Sequence, residues 1–301
     1  MSRHRIVCAV SVLVTFLSVA LPSLAQNARS AVSITGSDGA ACTVPDPCRT
    51  FGVAMSKTNP GGEVVALGSG GYGPFTITTA VSIIAPPSVH AAIAPAMGDA
   101  ITVTAGASDR ILIAGLYLQA QGGNIGIHVN SAGVVNIQRT KVSSFAGSGV
   151  YASVSAPVKL LIEDSTFLGN ADGISAECFG AAADRISVTL NRVTVLYSGY
   201  GVSAGYNSRF SVNELVSNSN FWGLQCNYCE ASILRSVFSY CNTGVEATFS
   251  SAKVYIAYSM VSLNTTGFKQ TGTGTLSSLG NNLVADNGTD VSGTITPLAG
   301  K

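Results

Sequence analysis

The sequence predicts an all-β protein folded as a right-handed parallel β-helix, a solenoid of stacked coils, with a short N-terminal capping helix. Two series of residues recur in phase along the chain, and apolar and polar residues alternate around them. Charged residues make up only 10% of the 301 residues. The surface must therefore be built mainly from hydroxyls and amides, which is common in extracellular β-structure and argues against a long helical protein.

The first 25 residues have the pattern of an export signal. Arg3 and Arg5 precede an uncharged apolar run from Ile6 to Leu21, and Ser23-Leu24-Ala25 then provides a cleavage site of small residues. We expect cleavage near Ala25 and a secreted or periplasmic mature protein. A membrane anchor is the alternative, but the run is short for a span, and no later stretch is long and apolar enough to cross a bilayer.

The charge balance of the remaining chain argues against nucleic acid as a partner. Arg3 and Arg5 are two of the 16 basic residues, so 14 remain beyond the signal, against 15 acidic residues. This balance has no excess of positive charge that would attract nucleic acid or anionic lipid.

The mature chain, residues 26–301, is predicted to be a single domain with a cap at about 42–62 and coils at about 63–296. Phe51, Ala54 and Met55 have the spacing of one helix face. We expect Asn59-Pro60-Gly61-Gly62 to end this helix and Glu63–Leu67 to form a strand. An amphipathic helix at this place would cover the open edge of the first sheet.

Two less regular coils follow, at Phe75–Ile84 and Ile101–Leu118, before the repeat becomes regular. A glycine followed by an apolar residue then recurs at steps of 23, 24, 28, 22, 21 and 23 residues. An apolar series keeps step with it. The glycines are Gly126, Gly149, Gly173, Gly201, Gly223, Gly244 and Gly267, and the apolar series is Ile137, Ile162, Leu190, Val212, Ile233, Ile256 and Leu279.

Each repeat is predicted to contain about three short strands joined by turns. A glycine immediately before a strand suits a turn with positive φ. One repeat cannot bury its apolar face alone, so stacking of repeats builds the core and the parallel sheets. The last coil is expected to end near Ile295, and the tail Pro297–Lys301 to be frayed.

Two further series suggest ladders between coils. Asn170, Asn220, Asn264 and Asn287 stand eight residues after the apolar marker, where an Asn can bond the equivalent residue of a neighbouring coil. Two residues after the same marker, charges alternate in sign and predict a salt-bridge ladder, although a merely solvated face is the alternative. These charged residues are Arg139, Asp164, Arg192, Glu214 and Arg235.

Six cysteines remain beyond the signal, an even number that suggests disulfides in an exported protein. We expect Cys42 and Cys48 to pair and close a short loop. The pairing of Cys178, Cys226, Cys229 and Cys241 stays open. Cys226 and Cys229 form a CxxC motif, which could also serve redox chemistry or bind a metal, although no second CxxC or nearby His completes a metal site.

The start of the mature chain resembles the pectin-lyase-like, right-handed β-helix repeat proteins. The resemblance rests on Cys48-Arg49-Thr50-Phe51, on Pro60-Gly61-Gly62-Glu63-Val64-Val65 and on Gly71-Tyr72-Gly73-Pro74-Phe75-Thr76-Ile77. It covers the whole mature chain and implies the β-helix fold. It implies no single activity, because the superfamily includes lyases, hydrolases, epimerases and phage tail proteins.

The catalytic motifs of related enzymes are mostly missing from the sequence. The resemblance to lyases implies clustered carboxylates for Ca²⁺ and an Arg as base, and the nearest match is Asp164, Asp172, Glu177 and Arg192. Polygalacturonase-type motifs with Asp-Asp and His-Gly are absent. We expect no cofactor or metal, with calcium relevant only to a lyase. His90 and His128 have no obvious carboxylate neighbour and are expected at the surface.

Tyr200 and Trp222 each stand immediately before a repeat glycine and should stack in adjacent coils, with Asp172 one coil earlier. Aromatic faces beside a carboxylate suit the apolar faces of sugar rings; the alternative is that the aromatic residues simply fill turns between coils. The sequence therefore favours a protein that binds a polysaccharide or cell-surface glycan. A polysaccharide lyase or glycoside hydrolase is the alternative, and a structural surface or matrix protein is a third reading.

Overall fold

The structure, a computed structural model, describes residues 26–181 and 185–298, so the predicted export signal lies outside the described residues. Three parallel sheets run along the β-helix, and each full coil contributes one strand to sheet I, then sheet II, then sheet III. The predicted parallel β-helix is confirmed. We call the connections between sheets the I–II, II–III and III–I turns.

The strands are numbered in chain order. Sheet I contains β1 (Asn27–Val32), β2 (Thr58–Ala66), β5 (Val81–Ile84), β8 (Arg110–Ala114), β11 (Val134–Gln138), β14 (Val158–Glu163), β17 (Ile186–Asn191), β20 (Ser208–Asn213), β23 (Glu230–Leu234), β26 (Lys253–Ala257), β29 (Thr275–Leu279) and β32 (Ile295–Leu298). Sheet II contains β3 (Gly70–Gly71), β6 (Ala91–Ile93), β9 (Tyr117–Gln119), β12 (Lys141–Ser143), β15 (Thr166–Leu168), β18 (Thr194–Leu196), β21 (Val216–Asn218), β24 (Val237–Ser239), β27 (Met260–Ser262) and β30 (Leu283–Ala285). Sheet III contains β4 (Phe75–Ile77), β7 (Ile101–Thr104), β10 (Ile127–Ser131), β13 (Ser148–Val154), β16 (Asp172–Cys178), β19 (Tyr200–Ala204), β22 (Trp222–Asn227), β25 (Thr243–Thr248), β28 (Thr266–Gln270) and β31 (Thr289–Ser292).

The apolar series of the sequence forms an inward-facing column of sheet I, from Ile137 to Ile256, with all members in register and buried. The prediction fails by one residue in the last step, because Ser278 and not Leu279 pairs with Ile256. Strand β32 also extends through Leu298 by pairing with β29, so Pro297 is not part of a frayed tail. One cluster of buried residues runs from Val32 to Leu276.

The repeat glycines are required by close packing and not by positive φ. None of the seven has a left-handed backbone. A Cβ atom built on Gly173 would overlap the side chain of Val195 from sheet II and the carbonyl oxygen of Gly201 in the next coil. The same contact recurs at Gly201, whose Cβ would meet Ser217 and the carbonyl of Gly223. Our expectation of positive φ was therefore wrong, and the glycine column instead sets how closely neighbouring coils approach.

Positive φ falls on the I–II turn, at the residues of the predicted charge ladder. These residues are Arg139 (φ 47°), Asp164 (50°), Arg192 (53°), Glu214 (55°) and Arg235 (46°), and the uncharged Tyr258 (50°) has the same backbone conformation in the next coil. The ladder forms two separate ion pairs, Arg192 with Asp164 at 2.6 Å and Arg235 with Glu214 at 3.4 Å. Both pairs are largely exposed, so solvent screens them and they contribute little to stability.

The asparagines of the II–III turn bond the preceding coil. The Asn170 Oδ1 accepts from the Phe145 N–H at 3.0 Å, and its Nδ2 donates to the Val142 carbonyl. Asn220 bonds Ser198 and Val195 in the same way. Only Asn264 and Asn287 bond each other side chain to side chain, at 2.9 Å. The predicted ladder is thus mainly a series of side-chain bridges to the backbone of the neighbouring coil.

The N-terminal cap contains helix α1 (Phe51–Ser56), whose Phe51 and Ala54 are buried. Thr50 caps the helix by accepting from the Val53 N–H. The chain enters the fold earlier than predicted, because β1 precedes the cap and pairs with β2. Strand β2 begins at Thr58, and the Pro-Gly-Gly segment forms an irregularity in its pairing with β1 instead of a separate turn.

The strand phase can be tested at Val212, which is buried on the inner face of β20 while its neighbour Ser211 is exposed on the outer face. We expect Val212→Asp to cost more than about 4 kcal/mol or to prevent folding, since it buries an unpaired charge. Ser211→Asp is the matched control and should change the free energy of unfolding by less than about 0.5 kcal/mol. Urea denaturation measures both, and equal stabilities would show that the assigned strand phase is wrong.

Candidate functional site

The structure does not bring the four candidate catalytic residues together. Asp164 and Arg192 lie on the I–II turn, where Arg192 donates two hydrogen bonds to the Asp164 carboxylate, at 2.6 and 3.0 Å. The Arg192 guanidinium holds the pKa of Asp164 below its ordinary value. Asp172 and Glu177 lie instead on strand β16 of sheet III. The expectation of one site containing all four is therefore wrong, because the coil carries them onto different parts of the solenoid.

Asp172 and Glu177 belong to the outer face of sheet III, which we call the sheet III wall. Two rows of its outward-facing residues run along the helix axis, and Glu177 lies beyond the second row, beside Ser153. The first row contains Ser148, Asp172, Tyr200, Trp222, Thr243 and Thr266. The second row contains His128, Tyr151, Ser175, Ser203, Gln225, Glu246 and Lys269.

Tyr200 and Trp222 stack in adjacent coils of the first row. Their ring centroids lie 4.4 Å apart and their planes differ by 8°. Phe221 meets Trp222 edge-on, with centroids 4.2 Å apart. Because each ring covers one face of the other, this row exposes fewer aromatic faces than the sequence suggested. A ligand would meet mainly ring edges and the Tyr200 hydroxyl.

Glu246, which the sequence analysis did not select, holds the wall together at its C-terminal end. Glu246 is only 3% exposed, and its carboxylate accepts hydrogen bonds from Trp222 Nε1 at 2.9 Å and Gln225 Nε2 at 3.0 Å. Lys269 Nζ lies 2.9 Å from its other oxygen. The buried charge is thus paired, and it fixes the orientation of the indole. An acidic residue between the buried Val245 and Ala247 was the available sequence signal.

Asp172 is a half-buried carboxylate without an ion-pair partner among the described residues. Ser148 Oγ donates to its Oδ2 at 3.3 Å. Burial raises the pKa of Asp172 above its ordinary value, because the neighbouring hydrogen bond offsets only part of the lost hydration. Burial raises the pKa of Tyr200, and the negative charge of Asp172 adds to that shift, so its phenol remains a hydrogen-bond donor at neutral pH.

Two hydrogen bonds and a ring contact link a second group of side chains on the same wall. The Tyr151 hydroxyl donates to Glu177 Oε1 at 2.7 Å, and its ring lies 5.4 Å from that of His128. His128 Nδ1 bonds Asp99 Oδ2 at 2.7 Å. The expectation that His128 has no carboxylate neighbour was wrong, because a residue 29 positions away lies one coil below. Sequence proximity cannot reveal such a pair.

The calcium that the resemblance implies for a lyase does not fit the described residues. Arg192 already binds Asp164, and Tyr151 binds Glu177, so Asp172 stands alone among the candidate acids. No group of three or more His, Cys, Asp or Glu among residues 26–181 and 185–298 could hold a metal ion. Calcium needs several oxygen ligands that converge, and we derive no step through it.

The cysteines form two short disulfides. Cys42 is joined to Cys48, the pair expected from the sequence, and Cys226 to Cys229. Cys178 and Cys241 are free and buried, and burial raises the pKa of Cys241 to about 11. The Cys241 thiol is therefore protonated at neutral pH and unreactive. The structure resolves the CxxC motif as a disulfide at a III–I turn.

No helix within the described part of the chain is long and apolar enough to cross a membrane.

Comparisons with known proteins agree with this architecture. The family model described as "Right handed beta helix region" matches residues 125–287. Among solved structures, the crystal structure of pectate lyase Pel9A is similar, with a TM-score of 0.54 and 13% sequence identity over 90% of this chain and 78% of that chain. No curated protein matches the sequence.

The shifted pKa of Asp172 predicts how stability depends on pH. A raised pKa means that the native state binds the proton more tightly than the unfolded state, so ionised Asp172 lowers stability at neutral pH. That cost disappears as the pH falls through the raised pKa. We expect Asp172→Asn to raise the urea midpoint at pH 7, and the gain to shrink under acid conditions.

Asp164→Asn is the control with the opposite sign. Because Arg192 lowers the pKa of Asp164, this substitution should slightly reduce stability at pH 7, and the loss should vanish as the pH falls through the lowered pKa. Urea midpoints across the pH range measure both variants. If Asp172→Asn instead lowers the urea midpoint at pH 7, the loss of hydration on burial does not dominate the environment of the Asp172 carboxylate.

Proposed function

Because the chain belongs to the right-handed β-helix family, we propose that it binds a polysaccharide, laid along the helix axis on the sheet III wall. The observation that carries this proposal is that the stacked Tyr200 and Trp222 of the first row lie beside hydrogen-bonding groups of the wall that have no partner among the described residues. The Tyr200 hydroxyl and the Ser175 and Ser203 hydroxyls make no hydrogen bond to any described residue. Unpaired hydroxyls beside fixed aromatic rings suit the hydroxyl groups and apolar edges of sugars.

Preorganisation supports binding on this wall. The buried Glu246 fixes the orientation of Trp222, and strand β22, which carries Trp222, is paired with β19 on one side and β25 on the other. Little side-chain freedom remains to be lost when a ligand binds, and this lowers the entropic cost of association.

The charge of the wall favours an uncharged glycan. The described face carries four carboxylates, on Asp99, Asp172, Glu177 and Glu246, against one lysine, Lys269. A polymer that carries its own carboxylates would be repelled here, whereas neutral sugar hydroxyls can donate to Asp172.

A polysaccharide hydrolase is a second candidate, favoured by the position of the half-buried Asp172 beside Tyr200 in the first row and by its raised pKa. Glycoside hydrolysis needs a second carboxyl group within about 10 Å, and Glu177, five residues further along the same extended strand at about 16 Å, is too distant to be that group. Release of reducing ends from a neutral polysaccharide that disappears in Asp172→Asn would support hydrolysis. Binding of the same polysaccharide with no reducing ends released would leave the binding role.

We also propose that the protein works outside the cytoplasm. Residues 1–25 have the pattern of an export signal, and disulfides such as Cys42–Cys48 and Cys226–Cys229 form and persist in oxidising compartments.

The binding proposal can be tested by removing one hydroxyl. Tyr200→Phe keeps the ring stack but deletes the free donor, so the affinity for a neutral polysaccharide should fall about 3- to 10-fold, the value of one hydrogen bond. Calorimetric titration against a panel of neutral polysaccharides measures the effect, with thermal melting to verify an unchanged fold. Tyr240→Phe makes the same change at an exposed II–III turn and should leave binding unchanged. Equal affinities for the wild type and Tyr200→Phe would contradict the assignment of this wall.

A further inference from the structure

We infer that the first row of the sheet III wall contains a cation site, formed by the carboxylate of Asp172 and the open face of the Tyr200 ring, which takes the primary ammonium group of an amino sugar. The site rests on the proposed function, because it assigns a chemical class to the glycan that lies along this wall. That glycan is neutral over most of its length and carries a free amine in place of an N-acetyl group where it crosses Asp172.

Stacking leaves the Tyr200 ring with one open face, and that face is turned toward Asp172. Asp172, Tyr200 and Trp222 are in register on three successive strands of sheet III. Trp222 covers one face of the Tyr200 ring, with the two centroids 4.4 Å apart and the planes within 8° of each other. Because the three residues follow one another along the helix axis, the second face of the ring points toward the coil of Asp172. A small cation between the two would contact the ring and the carboxylate together.

Asp172 is the carboxylate of the wall that still needs a counter-charge. The other three carboxylates of the wall already bond a lysine, a histidine or a tyrosine. Asp172 receives one hydrogen bond, from Ser148 Oγ at 3.3 Å, and forms no ion pair with any residue that the structure describes. Burial raises the pKa of Asp172, so this single bond does not replace the hydration that the carboxylate loses. A cation bound here would stabilise the ionised form.

A carboxylate beside an open aromatic face suits an ammonium group. The face of an aromatic ring is electrostatically negative and attracts a cation within about 6 Å of its centroid. Burial raises the pKa of Tyr200 and the negative charge of Asp172 adds to that shift, so the phenol lies within the field of the carboxylate. An ammonium group would be attracted by both groups and can also donate hydrogen bonds to the carboxylate. An uncharged acetamido group gains neither attraction.

The surroundings favour an amino sugar over a cationic peptide. Ser175 and Ser203, in the neighbouring second row, and the Tyr200 hydroxyl offer unpaired groups to the hydroxyls of a sugar ring. An extended peptide gains much of its affinity by pairing its backbone with an open strand edge. The strands of Asp172 and Tyr200 are both paired on their two sides, so no such edge is open at this site.

The test compares oligosaccharides that differ only in the amine. Calorimetry on the full mature chain would measure binding of N-acetylglucosamine oligomers and of the same oligomers after deacetylation, at a pH where the amine is protonated. We expect the deacetylated oligomers to bind about tenfold more tightly, as a cation–π contact and an ion pair together allow, and the preference to shrink as salt is added.

Every other result of this comparison counts against the cation site. Equal affinities for the two oligomers would overturn the site and leave the neutral-glycan wall intact, as would failure of both oligomers while a neutral polysaccharide of the panel binds. Failure of every glycan would overturn the proposed function as well. Polylysine is the control for charge alone, and polylysine that binds as tightly as the deacetylated oligomers would overturn the site.

Variants locate the ammonium group. Asp172→Asn keeps the size of the side chain but removes its charge, so the preference should fall from about tenfold to about threefold or less, with the affinity for the N-acetylated oligomer unchanged. Tyr200→Leu removes the ring face and should lower the preference about threefold, whereas Tyr200→Phe retains the face and should keep the preference.

Glu177→Gln is the matched control, because it removes a negative charge from the same wall at a carboxylate that Tyr151 already bonds. The preference for the deacetylated oligomer should survive this change, and thermal melting verifies that each variant is folded. Equal losses of preference in Asp172→Asn and Glu177→Gln would show that the general charge of the wall attracts the amine, and they would overturn the site.

Discussion

The close approach of successive coils at the glycine column is the constraint on which the rest of this structure depends. A Cβ atom at Gly173, Gly201 or Gly223 would meet the carbonyl of the glycine in the next coil and a side chain from sheet II. With glycine there, the strands of sheet III pair continuously from β4 to β31, with one register irregularity between β7 and β10. The same register places each outward side chain directly beside its equivalent in the next coil. Rows of stacked side chains are therefore a consequence of how the backbone packs.

Stacking turns small sequence differences between repeats into distinct surfaces. On sheet III it assembles a wall with a buried carboxylate, stacked aromatic rings and free hydroxyls, in which acidic groups predominate. At the III–I turns, which follow sheet III in each coil, the same stacking aligns lysines and arginines beside exposed rings. The two faces have opposite charge although the sequence contains nearly equal numbers of acidic and basic residues. The net charge of the chain is therefore a poor guide to what a solenoid binds. Each row on its surface contains the residue from only one position of each repeat, so the charge of one face can differ from that of the whole chain.

The sequence was sufficient to predict the fold because the repeat carries the same information many times. The inward column, the stacking of Tyr200 on Trp222 and the Asp164–Arg192 pair all follow from counting residues between markers. The site was predicted less well. The Asp99–His128 pair joins residues in the irregular early coils, where no marker fixes the register, and the partners of Glu246 come from the coils on either side of it. The role of the glycines was also misjudged, because a contact with the neighbouring coil leaves no trace in local sequence.

The most direct test of the central claim, that sheet III is a ligand-binding wall, uses the intrinsic fluorescence of Trp222. This residue is the only tryptophan of the chain, and it lies within the wall beside Tyr200. Titration with a neutral polysaccharide that binds by calorimetry is predicted to shift its emission, with the same saturation midpoint as the heat signal. Binding by calorimetry with unchanged Trp222 emission would contradict the account, because the ligand would then occupy another face of the β-helix.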